Sequence, residues 1–384
     1  MTSYERRKSS VFRRVSLYAA AIAVILCLVP LAAADASVRP PDNATTVAPP
    51  GGEIPGKPLG NVSDAEIWHS IRLGAPGSVS IADGKAATLI QSPGEDWRLV
   101  RNGSLFDYLG YMMLGTLVLL AAFFGFRGRI RVEHGFSGRK ITRFSGFERM
   151  GHWLMAVSFI ILGLSGLNVT FGREIILPIL GKEAFGPFSM FLKVTHHYVA
   201  FAFMLGLAIA FVVWVAQNIP NRHDLVWLSK AGGMFSRGVH PPARKFNAGQ
   251  KIFFWATMLG GFSLSLSGWA LLFPFEYTYF ADTFAKFSAI GIDLPALIGL
   301  PPPPYTAIQE QQFSSIWHAV VAILMICMIF AHIYIGSLGM EGAFDAMGTG
   351  EVDINWAKEH HAVWVEEVTA AGTEGADARH KAAG

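Results

Sequence analysis

The chain has 384 residues, of which 52% are hydrophobic and only 15% charged, and its mean hydropathy is +0.38. Soluble domains carry roughly 25% charged residues, so this composition belongs to an integral membrane protein. The 31 Lys and Arg against 28 Asp and Glu leave a formal charge of +3, which offers no basic surface to nucleic acid. Cys27 and Cys327, both in apolar runs, cannot build a disulfide framework or ligate an iron–sulfur cluster, and no Cys-x-x-Cys-His is present for covalent haem attachment.

Residues 1–36 read as a secretory signal peptide: Arg6, Arg7, Lys8, Arg13 and Arg14 precede an apolar run, Pro30 breaks it, and Ala32-Ala33-Ala34 follows. Such a leader places residues 37–104 outside the cytoplasm as an exported, periplasmic segment. Its first part is rich in Pro and Gly and reads as a linker. Its second part carries Trp68 and Trp97, which suit either an interface with a partner or a cap on the chain's own external loops.

Five apolar stretches follow, at 105–126, 151–172, 194–217, 252–273 and 313–337, each near the ~20 residues needed to cross the hydrocarbon core. Basic residues crowd 127–149 (Arg127, Arg129, Arg131, Arg139, Lys140, Arg143, Arg149) and 219–251 (Arg222, Lys230, Arg237, Arg244, Lys245, Lys251), whereas the alternate loops carry few. The positive-inside rule makes the two crowded loops cytoplasmic, with a cytoplasmic tail from 341 to 384. The expected fold is therefore all-α: an extra transmembrane helix at 105–126 followed by a four-helix bundle over 127–340.

His152, His196, His197, His318 and His332 lie within or at the edge of crossings, where an ionisable group is expensive and calls for a task. His318 and His332 are 14 residues apart on one helix, so they sit ~21 Å apart and within about 40° of one face. Chain direction puts His152 at the depth of His332 and His196 at the depth of His318. Two bis-imidazole sites stacked across four helices are what two b-type haems need. A porphyrin beside a helix also needs room one turn on, and the i+4 residues are Ala156, Ala200, Ala322 and Gly336. Four residues after His197 comes Phe201, so His196 is the expected ligand. Zinc sites instead cluster their ligands at one depth.

With these histidines stand Glu148-Arg149-Met150-Gly151-His152-Trp153, Asn218-Ile219-Pro220-Asn221, Lys245 to Lys251 and Trp356 to His361. In this set the chain resembles the gamma subunit, the membrane cytochrome b, of membrane-bound formate dehydrogenases over about 141–367. The resemblance implies two haems b on His152, His196, His318 and His332, and a quinone site by the inner haem around Asn247, Gly249 and Gln250. It also implies an iron–sulfur beta subunit and a molybdenum or tungsten alpha subunit as partners, in the bacterial inner membrane. Residues 1–126 lie outside it.

Asn247 and Gln250 can donate hydrogen bonds to quinone carbonyls at the depth of His152 and His332, yet Asn-Ala-Gly-Gln is equally a helix start with Asn247 as N-cap. Arg149 suits a haem propionate or merely the positive-inside rule. Trp153 and Trp214 read as membrane-interface anchors and Cys327 as packing. Two rival functions stand beside the electron conduit: the cytochrome b subunit of a hydrogenase or thiosulfate reductase, and a non-redox anchor whose histidines relay protons.

Overall fold

A computed structural model describes residues 92–382 apart from Arg237 and Pro301, together with a two-residue antiparallel pair, β1 (Gly77–Ser78) and β2 (Thr88–Leu89). The expected signal peptide, the linker and Trp68 lie outside the described residues. Eleven α-helices follow: α1 (Ser92–Arg101), α2 (Ser104–Arg127), α3 (Gly146–Ile175), α4 (Leu177–Trp214), α5 (Arg222–Ser229), α6 (Ala248–Leu272), α7 (Tyr279–Ala289), α8 (Leu294–Leu297), α9 (Ala307–Tyr334), α10 (Asp345–Gly348) and α11 (Ile354–Ala382). Two more strands, β3 (Lys140–Thr142) and β4 (Glu351–Asp353), pair antiparallel with Ile141 opposite Val352.

Among the described residues, five helical stretches are long and apolar enough to cross a membrane: Trp97–Arg127, Gly146–Ile175, Leu177–Asn218, Ala248–Leu272 and Ala307–Gly339. They include the five runs expected from hydropathy. The third is longer than its apolar run because Lys182, Glu183 and Pro187 mask its first turns from a hydropathy count, and Gly181, at φ 74°, bends the chain there. Sequence sets the starts of three crossings: Ser145 with Glu148, Asn247 with Gln250 and Thr306 with Gln309 each form a capping box. Outward side chains such as Val118 and Val212 are exposed and apolar, as lipid-facing residues are.

Glycines let the helices meet closely. A Cβ on Gly206 of α4 would stand 2.7 Å from the Met155 nitrogen of α3, so those helices cross backbone against backbone. Gly260 of α6 receives the side chain of Met325 of α9. The extra crossing α2 lays Phe106 and Leu109 against Ile323 of α9, with Cys327 packed at the edge of that cluster.

The basic end is closed by a cap that joins segments far apart in sequence. The Asp353 carboxylate accepts from the Ser137 and Gly138 backbone N–H groups, and Glu359 accepts from those of Glu133 and His134. His361, fully enclosed, bonds the Arg244 carbonyl at 2.7 Å through Nδ1. Residues 341–365, expected as the start of a tail, are thus built into this end of the bundle. Trp214 is buried and donates to Glu148 Oε1 at 3.0 Å, so it is a cap residue and not the lipid-interface anchor expected of it. At the opposite end Trp97 donates to Ser315 Oγ at 3.2 Å, which ties α1 to α9.

Two histidine pairs as the candidate cofactor site

Helix α9 carries both sites. The rings of His152 and His332 have centroids 6.2 Å apart, and those of His196 and His318 are also 6.2 Å apart. With metal–nitrogen bonds of about 2 Å and a nitrogen about 1 Å from its ring centre, two imidazoles facing each other across one iron place their centroids about 6 Å apart. It is His196, not His197, that pairs with His318.

The His196–His318 pair is held by a repeated device. Ser165 Oγ lies 2.8 Å from His196 Nδ1, and Ser267 Oγ lies 2.9 Å from His318 Nδ1. Each hydroxyl already donates its one proton to a backbone carbonyl, of Ile161 at 2.7 Å and of Ser263 at 3.0 Å. Each can therefore only accept from its imidazole, which fixes the proton on Nδ1 and leaves the Nε2 lone pair for a metal. The next residue is glycine in both cases, and a Cβ on Gly166 or Gly268 would stand 3.3 Å from the Cε1 of its histidine. The tripeptide Leu-Ser-Gly at 164–166 and again at 266–268 is the signal that sequence reasoning missed.

The His152–His332 pair is built differently. His152 Nδ1 is buried without a hydrogen-bond partner among the described residues, and Phe253 stacks on the His332 ring at 4.3 Å and 13°. Nothing lies within 4 Å of where a Gly336 Cβ would be, so there is room one turn beyond His332. No group of three or more His, Cys, Asp or Glu able to hold a single metal ion occurs among the described residues. Paired neutral nitrogens, glycine-lined backbones and apolar walls fit haem b, with no zinc-type ligand cluster beside them.

The remaining expected site residues have structural tasks. Asn247 Oδ1 accepts from the Gln250 N–H at 2.9 Å and Gln250 Oε1 from the Asn247 N–H at 3.1 Å, which realises the N-cap reading. A Gly249 Cβ would meet the Trp227 ring at 2.7 Å, so that backbone is covered by Trp227. Gln250 nevertheless lies one turn before Phe253, on the face that meets His332. The Arg149 guanidinium bonds the carbonyls of Met347, Gly348 and Thr349, at 3.2, 2.6 and 2.9 Å, at the end of α10. That engagement accounts for Arg149 without a propionate.

Between cap and bundle lies Arg143, 5% exposed, with Nη2 2.7 Å from the Lys245 carbonyl and 3.3 Å from Gln250 Oε1. Its guanidinium also stands over the Phe144 and Trp356 rings. Burial pushes it down to about 9, which leaves it cationic at neutral pH.

Membrane helices that hold two imidazole pairs, at the two depths set by His318 and His332, define an all-α integral membrane cytochrome b. The chain belongs to the prokaryotic cytochrome b561 family, which it matches over residues 143–350, and membership implies b-type haem. It is 28% identical over 232 residues to the cytochrome b556 subunit of the nitrate-inducible formate dehydrogenase of Escherichia coli K12, covering 60% of this chain and 92% of that protein. A second Escherichia coli K12 formate dehydrogenase cytochrome b556 subunit is 27% identical over 59% of this chain and 93% of its own length. The corresponding Haemophilus influenzae subunit is 25% identical over 59% and 83%.

Proposed function

We propose that this chain is the electron-transfer subunit of a formate dehydrogenase, with two haems b between a donor on the outer face and quinone on the cytoplasmic face. The observation that carries the reading is the pair of 6.2 Å imidazole pairs arranged along one helix. Bound haem supplies reversible one-electron chemistry, and the chain supplies ligands, depth and a dry environment. His196 and His318 hold the outer haem, nearest an iron–sulfur subunit that relays electrons from a molybdenum or tungsten subunit where formate is oxidised. His152 and His332 hold the inner haem. The chain lies in a bacterial inner membrane with the cap at the basic end in the cytoplasm, a placement that its basic loops support.

Quinone binds beside the inner pair, where the side-chain NH2 groups of Asn247 and Gln250 make no bond to described residues and Gln250 shares a helix face with Phe253. Its reduction there takes protons from the cytoplasm, so electron flow inward charges the membrane. Four ligand variants test the haem assignment. His196→Ala or His318→Ala is expected to remove one haem from the reduced-minus-oxidised spectrum and leave the other, and His152→Ala or His332→Ala the converse. A purified variant that lacks a named ligand and keeps both haems overturns it.

A further inference from the structure

Reducing one quinone to quinol takes two electrons, delivered through the inner haem site, and two protons, which this chain has to admit; the inference rests on the quinone reading above. At the basic end a cavity of about 490 Å³ is lined by His134, His240, Asn355, Lys358 and Glu359. His240 Nε2 lies 3.0 Å from Glu133 Oε2, and His134 Nδ1 lies 2.8 Å from Glu359 Oε1. The His360 ring stands behind that wall, its centroid 6.2 Å from that of His240 and 5.1 Å from that of Trp356. Arg143 then lies over Trp356 at 5.2 Å and reaches Gln250 at 3.3 Å.

Along this line three buried polar atoms have no hydrogen-bond partner among the described residues: His360 Nε2, Trp356 Nε1 and Arg143 Nε. Each such atom left unpaired costs about 1–3 kcal/mol, and a file of water is the usual remedy for consecutive unpaired groups. A cavity walled by imidazole–carboxylate pairs therefore leads through polar atoms with spare hydrogen-bonding capacity to the amides beside the inner histidines. Asp353 and His361, in the same cap, are by contrast paired.

We propose that this line is the proton inlet of the chain, in which His240 and His134 take protons from the cavity, His360 passes them inward, and water beside Trp356 and Arg143 carries them to the quinone oxygens. A neutral imidazole accepts a proton on one nitrogen and releases one from the other, so His360 conducts without net change. Burial pushes His360 down to about 4; Glu359 and Glu133 pull it up, and His240 and Arg143 push it further down. Arg143 keeps its own proton and acts as a positioning residue. Each turnover consumes two cytoplasmic protons and two electrons and forms two O–H bonds on quinol.

The reverse reaction tests the inlet without any partner subunit. A soluble quinol is mixed with the oxidised, haem-loaded protein and haem reduction is followed by stopped flow across pH: one quinol gives two electrons to the haems and two protons to the inlet. His360→Leu is expected to slow haem reduction about 100-fold, the lower range for loss of a positioned proton-transfer group, with an increased solvent isotope effect. Imidazole added to the buffer is expected to restore part of the rate. His240→Leu, at the exposed wall of the cavity, is expected to show a smaller loss with the same rescue. Unchanged rates in both variants at every pH, or a loss that imidazole does not relieve, overturn the inlet. If quinol does not reduce the haems of the unmutated protein, the quinone reading itself falls, which is a separate result.

Discussion

At the scale of the residue, the two sites differ in what holds their ligands. Ser165 and Ser267 orient both outer imidazoles, whereas His152 Nδ1 has no such partner and His332 is placed by Phe253. A hydrogen-bonded Nδ1–H raises the basicity of the ligating nitrogen and fixes its orientation, and loss of such a partner costs roughly 10–100-fold in metal affinity. Ser165→Ala and Ser267→Ala are therefore expected to weaken retention of the outer haem by about tenfold or more and to raise its midpoint potential. The inner haem should be unaffected. Haem content and a redox titration of each purified variant check this, and equal shifts at both haems would contradict it. The histidines themselves were legible because ionisable residues stand out in apolar runs and a 14-residue spacing fixes their depths. Their serines were not, because a serine inside a membrane helix ordinarily bonds its own backbone, and Ser165 does that as well.

At the scale of the element, glycines separate packing from cofactor space. Gly206 sits against the Met155 backbone, so Gly206→Leu drives α3 and α4 apart and is expected to abolish haem binding together with thermal stability. Gly336 faces open space beside the inner pair, so Gly336→Phe has room in the protein itself yet fills the slot that a porphyrin needs. The expected outcome is a protein that keeps its helical circular dichroism and its outer haem but loses the inner one. An unchanged spectrum in Gly336→Phe would show that the inner porphyrin lies on another side of His332. The crossings were legible from apolar runs of ~20 residues and from capping boxes such as Ser145 with Glu148. The first turns of α4 were not, because the helix continues through Lys182, Glu183 and Pro187, where hydropathy no longer marks it.

At the scale of the whole molecule, the cap is the acid-sensitive part. His361 is buried and His360 partly so, and burial holds His360 at about 4 and His361 well below its ordinary value. Their neutral forms stabilise the fold fully above the unfolded value near 6.5, and this stabilisation is lost as pH falls from there toward the folded values, up to about 3 kcal/mol for His360. Burial alone would raise the Asp353 and Glu359 carboxyls, but hydrogen bonds outweigh it: from Ser137, Asn355 and Gly138 to Asp353, and from His134 and Glu133 to Glu359. Both sit below the usual carboxylate range, so their contribution is present above about 4 and disappears as pH falls through the lowered values. Amide protection over 128–145 and 350–365, taken as the exchange rate relative to the unfolded chain at each pH, is expected to fall progressively below about pH 6.5 while the crossings stay protected. Uniform exchange across cap and crossings at pH 5 would contradict this. The bonding of the cap was not legible in the sequence: Trp356 to His361 entered only through the resemblance, and Asp353 and Glu359 bond residues more than 200 positions away.

The pairing of β3 with β4 also sets an order in time. Lys140–Thr142 leaves the ribosome more than 200 residues before Glu351–Asp353, the strand that completes it. Until then Glu133, His134, Ser137 and Gly138 have backbone N–H groups whose carboxylate acceptors have not been synthesised. The basic end of the bundle is thus the last region to close, after all five crossings and both histidine pairs exist. The bundle passes through a stage in which the His152–His332 pair is assembled beneath an unfinished roof, and a large planar guest can enter from the basic end until Glu351–Asp353 and Glu359 arrive to close it.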